Sequence, residues 1–192
     1  MENCVTRFLA SGRDGRPGGD SLLGLVRRPN AGLLLAAALA VSAGEAAVAK
    51  DATVLPSDAK LLTESQLYLL YKNKTWVWPR GGGFFAGDGT LKAWSAADGA
   101  ASYATGRWWV NGVGAMCMQA HWHWSNGVMN KRDCFDHQSH RGVIYQKRDP
   151  DGSWYIFKSS PVGTEDEINK LREGDLIEED WSATKVKVDP TQ

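Results

Sequence analysis

From Ala115 to Trp124 the chain alternates in character at every step. Met116, Met118, Ala120, Trp122 and Trp124 take the even positions, while Ala115, Cys117, Gln119, His121 and His123 take the odd ones. Successive side chains of a strand point to opposite faces. This stretch therefore has one wholly apolar face and one mixed or polar face, as a half-buried strand of an antiparallel sheet requires. It gives the fold an inside and an outside.

The same period of two recurs on either side. Thr75-Trp76-Val77-Trp78 puts both tryptophans on one face of a strand. Residues 84–86 and 90–94 flank Gly87-Asp88-Gly89, a hairpin turn, and residues 106–110 form a strand closed by Asn111-Gly112. Asn126-Gly127 begins the connection beyond Trp124, and residues 134–137 read as a shorter strand. Residues 143–147 and 154–157 flank Asp149-Pro150-Asp151-Gly152, the clearest hairpin signal in the chain. Pro79 through Gly83 reads as a flexible loop.

Two segments follow a helical period instead. Thr63 can cap the amide of Gln66 while Gln66 reaches back, a capping box that opens a helix at about 64–72. Leu62 and Leu67 are placed as its hydrophobic staple, and Asn73 as a left-handed stop. Thr164 and Glu167 suggest a second box, with Ile168 and Leu171 on one face of a helix at about 165–173 that Gly174 ends. The expected fold is mainly β: an antiparallel meander, curled into a sheet or partial barrel of six or seven short strands, with these two helices covering it.

The first 49 residues differ in composition from the rest. Arg27 and Arg28 precede the apolar run from Leu33 to Val41, and Ala47-Val48-Ala49 follows it in the small-x-small form of a cleavage site. Residues 1–49 therefore read as a signal peptide cut between Ala49 and Lys50. Its n-region is unusually long, which suggests a true start near Val26. The run is too short for a membrane span, so no stable span is expected after cleavage. The remainder reads as a loose lead-in (50–60), a single β-rich domain (61–181) and a polar tail (182–192). The expected location is periplasmic or secreted.

Beyond Ala49 the chain carries 17 Lys and Arg against 18 Asp and Glu, and all nine Trp. A balance this even leaves no electrostatic footprint for nucleic acid. Cys117 and Cys134 form an even pair in an oxidising compartment and read as one disulfide, with zinc ligation or two free thiols as alternatives.

The chemistry-bearing residues are few. All four histidines, His121, His123, His137 and His140, fall within one short stretch, which raises a metal site. If Cys117 faces Cys134 across a regular hairpin, His121 and His137 lie about 23 Å apart at ~3.3 Å per residue. A four-histidine site is then excluded, leaving His121 and His123 as weak two-ligand candidates beside their reading as exposed polar-face residues. No serine sits in a nucleophile-elbow sequence, and no phosphate-loop Lys-Ser/Thr follows Gly81-Gly82-Gly83. A hydrolase would have to use His137 or His121 with an acidic partner. Tryptophan strips on strands bind sugar rings or peptides when exposed and are core when buried. Trp76, Trp78, Trp108 and Trp109 are the candidate contacts, the last two pointing to opposite faces.

The ordered series Leu-Tyr-x-Leu-Tyr-x-x-Lys-Thr-Trp-x-Trp from Leu67, the Phe84-Phe85 and Asp88-Gly89 elements, Gly106-Arg107-Trp108, the cysteine pair, Gly142-Val143-Ile144-Tyr145-Gln146 and Asp151-Gly152-x-Trp154-Tyr155 resembles the family of small exported Gram-negative bacterial proteins known as domain of unknown function 995. The resemblance spans about residues 61–175. It implies export and a shared fold, and carries no catalytic residue with it. The resulting expectation is a non-enzymatic envelope or secreted domain without a cofactor, binding an envelope, glycan or protein ligand.

Overall fold

A strand with one apolar face needs something to close over that face, and here the sheet closes over itself. The computed structural model describes residues 53–96 and 100–189. The signal peptide, the start near Val26 and the cleavage at Ala49 and Lys50 lie outside the described residues.

In chain order the elements are β1 (Lys60–Leu61), α1 (Glu64–Tyr71), β2 (Lys74–Trp78), β3 (Gly81–Phe85), β4 (Thr90–Ser95), β5 (Ser102–Val110), β6 (Ala115–Trp124), β7 (Gly127–His140), β8 (Val143–Asp149), β9 (Tyr155–Lys158), a 3-10 turn (Glu167–Lys170), β10 (Leu171–Glu173) and α2 (Glu178–Val188). The sheet order is β10-β2-β3-β4-β5-β6-β7-β8-β9, with β1 added against β7. The pairings are antiparallel throughout. This is the mainly β meander the sequence implies, with ten strands rather than six or seven.

The curl can be read from side chains. Trp76 of β2 and Phe135 of β7 are five strands apart in the sheet, yet their ring centroids are 5.3 Å apart. Only a sheet rolled into a half-barrel brings them together. The inner face carries Trp76, Phe85, Leu91, Trp108, Met116, Trp122 and Phe135, all buried. Helix α1 closes one end. Its Leu67 and Tyr71 are fully buried, Tyr71 packs edge-on to Phe85, and Tyr68 stacks on Trp108. Both halves of the Thr63–Gln66 capping box form, and Asn73 takes positive φ after the helix.

Three readings need correction. Gly81-Gly82-Gly83 is not a flexible loop but the first part of β3, paired on both sides. A Cβ at Gly81 would sit 2.2 Å from the Trp78 indole nitrogen and 2.4 Å from the Trp94 carbonyl, so the glycine admits a tryptophan rather than motion. The strand read at 134–137 lies within the longer, 14-residue β7. The second helix is not at 165–173. The Thr164–Glu167 box does not form: the Asp166 carboxylate binds Ser159 and Gly163 instead, Glu167 accepts from the Trp76 indole, and Leu171 pairs with Trp76 as β10.

The second helix is α2, within the stretch read partly as a polar tail. It packs on the convex face: the Trp181 indole donates to the Ala104 carbonyl (2.9 Å) and Trp94 donates to the Thr184 hydroxyl (2.8 Å). Among the described residues, no helix is long and apolar enough to cross a membrane.

Candidate functional site

The inner face is not filled evenly. Small residues meet on neighbouring strands, Gly83 beside Ala93 and Ala104 beside Ala93, with Ala120 on β6. Large rings stand around them. The result is a partly open cleft walled by Trp76, Trp78, Phe85, Met118, Trp122 and Phe135 over a floor of Gly83, Leu91, Ala93 and Ala120. About 480 Å³ lies between its walls, open side included, and about 30 Å³ of that can hold the centre of a water-sized molecule. By that measure the cleft as it stands has room for about two waters, and a larger ligand has to occupy its open side as well.

Among the described residues, one charged side chain lines this apolar space. Asp133 faces inward opposite Met118 and is 3% exposed. Its Oδ1 accepts from the Arg148 guanidinium; its Oδ2 has no hydrogen-bond partner among the described residues. Lys131 lies two residues away on the same face. Burial holds its ammonium below the usual range, the Asp133 charge acts against that, and Arg148 adds to it.

The sequence candidates separate. Trp76 and Trp78 line the cleft. Trp108 is buried on the inner face beside α1, its indole donating to the Ala86 carbonyl (2.8 Å). Trp109 points outward as parity requires, half-buried, with the Arg132 guanidinium 5.2 Å from its ring centroid. Cys117 and Cys134 are directly opposed and disulfide-bonded, which resolves the alternatives for this pair. The rest of that hairpin keeps the same register, with His121 opposite Asn130.

The histidines do not converge. His121 is exposed on the convex face, while His123 stacks on Tyr103 with ring centroids 4.8 Å apart. His140 lies 3.0 Å from the Asp58 carboxylate. Among the described residues no group of three His, Cys, Asp or Glu is placed to hold a metal ion.

His137 belongs to a buried polar cluster outside the cleft lining. Its Nε2 is 2.8 Å from the Tyr71 hydroxyl and 2.7 Å from Gln146 Nε2, and Gln146 also donates to Tyr71 (2.8 Å). The Tyr155 hydroxyl donates to Gln146 Oε1. Burial pushes the His137 pKa down to about 3, against the weaker opposing effect of the Phe135 and Gly114 carbonyls. Burial likewise raises the Tyr71 phenol. A neutral imidazole bonded to Tyr71 and Gln146 anchors α1 to β7 and β8.

Sequence reasoning missed Asp133, Met118, Ala120, Trp122 and Phe135 as a set. Each lies on an inward parity of β6 or β7, but the distant strand β2 had to be folded over them before they became one site.

No curated protein and no solved structure matches the chain significantly. A family model described as a protein of unknown function (DUF995) matches residues 35–177, most of the sequence, and the chain belongs to that family.

Proposed function

We propose that this protein is exported and binds a small apolar ligand in the inner cleft without converting it chemically. The observation that carries this reading is the cleft itself: tryptophan and phenylalanine walls around a glycine and alanine floor, with Asp133 the one charged group on the lining among the described residues. Concave, mostly apolar spaces with a few placed polar groups are how proteins hold small molecules. Sugar rings need several polar partners for their hydroxyls, so an apolar ligand suits this lining better than a glycan. The disulfide and the Ala47-Val48-Ala49 pattern support a periplasmic or secreted location.

Two measurements test the reading. Titration of the purified protein with a neutral apolar fluorophore such as N-phenylnaphthylamine is expected to give saturable one-to-one binding; purely linear, non-saturating fluorescence would count against a ligand cleft. Mass analysis of the protein recovered from the cell envelope or medium is expected to place its first residue at Lys50, and an intact chain held in the cytoplasm would contradict export.

A further inference from the structure

The cleft is lined by a carboxylate with one oxygen that no hydrogen bond reaches among the described residues. Asp133 is 3% exposed, lines the cleft, and spends only Oδ1 on Arg148. Its Oδ2 has no hydrogen-bond partner among the described residues. A buried carboxylate oxygen without a donor is costly, so such atoms point to something that supplies one. Neither Arg148 nor Lys131 lines the cleft, so what a ligand meets there is an acceptor.

The surrounding charges narrow the donor. Arg148 already balances the carboxylate, and Lys131, two residues along the same face, adds a second cation. A cationic ligand would bring a third positive charge into apolar surroundings. An anionic ligand would place its own charge against the unpartnered oxygen. A neutral hydroxyl donates without adding charge, and the rest of the ligand meets only rings, methyls and a thioether.

We infer that the ligand class is an uncharged apolar alcohol whose hydroxyl donates to Oδ2 of Asp133. The inference rests on the cleft being the binding site. It makes Asp133 the specificity-determining residue and the aromatic walls the source of affinity.

Four eight-carbon probes test it on the purified protein by displacement of the fluorophore: 1-octanol, its isomer 1-methoxyheptane, octanoate and octylammonium. The ether has the same atoms as the alcohol but cannot donate. Octanol is expected to bind at least ~10-fold more tightly than the ether and than either ion, the effect of one hydrogen bond to a charged group. In Asp133→Leu the preference for octanol over the ether is expected to vanish while both still bind. Should that variant fail to fold, the ranking on the unaltered protein decides alone. Equal binding of octanol and ether overturns the role of Asp133 but leaves the cleft reading standing. Tightest binding by octanoate or octylammonium overturns the assigned class. Failure of all four to displace the fluorophore overturns both.

Discussion

Cys117 and Cys134 stand opposite each other in β6 and β7, joined through their sulfurs on the face turned away from the cleft. Their immediate neighbours Met118 and Asp133, also opposed, point the other way and line it. One hairpin therefore carries a covalent clamp outside and part of the candidate site inside.

The clamp acts chiefly on the unfolded chain. It closes a loop between residues 17 positions apart, and a loop of that size contributes about 3 kcal/mol by chain entropy. Replacing both cysteines with alanine is expected to lower unfolding stability by about that amount in urea titrations. Ligand affinity of the folded variant should stay within about twofold, because neither sulfur faces the cleft.

His137 makes stability depend on pH. Its folded pKa is near 3, below an unfolded value of about 6.5. The unfolded chain thus binds the proton more readily at every pH between these values. The contribution of a neutral His137 is complete above pH ~6.5 and is lost as pH falls, at up to about 1.4 kcal/mol per pH unit. Stability measured from pH 6.5 down to 5 should fall, and the slope should flatten in His137→Gln. An equal slope in both proteins would assign the effect to other groups.

Two inward-facing glycines, Gly83 on β3 and Gly106 on β5, should respond in opposite ways. A Cβ on Gly106 would lie 2.0 Å from the Gln119 carbonyl oxygen, which is backbone and cannot step aside cheaply. Gly106→Ala is expected to destabilise the protein by about 3 kcal/mol. A Cβ on Gly83 would meet Trp78 ring atoms at 3.5 Å, ordinary contact distance. Gly83→Ala should stabilise the strand by about 0.5 kcal/mol yet weaken ligand binding, since the methyl enters the cleft floor. Thermal melts beside fluorophore titrations of the two variants check both halves.

Much of this architecture was legible because local signals agreed. Alternation from Ala115 to Trp124 assigned the inner face, and the cysteine spacing set a hairpin register that the structure keeps. The Thr63 box placed α1. What escaped had physical causes. Helix α2 rests on Trp181 and Thr184, too few inward residues to mark a 3.6 period among its charges. Gly81-Gly82-Gly83 carries no side chain from which alternation can be read, so a paired strand resembles a loop. Asp133 could not be read as a cleft residue because its meaning depends on Trp76 and Trp78, which line the same cleft only once the sheet has rolled.

On this reading the inner cleft, and not the outward-facing Trp109, holds the ligand. The most direct test compares fluorophore affinity in Ala120→Leu, which fills the cleft floor, with Trp109→Ala, which removes the outward-facing ring, each checked by its melting curve. Loss of at least ~10-fold in affinity for folded Ala120→Leu with little change in Trp109→Ala is the result predicted. Unchanged affinity in Ala120→Leu together with loss in Trp109→Ala would move the site to the outer face and contradict the account.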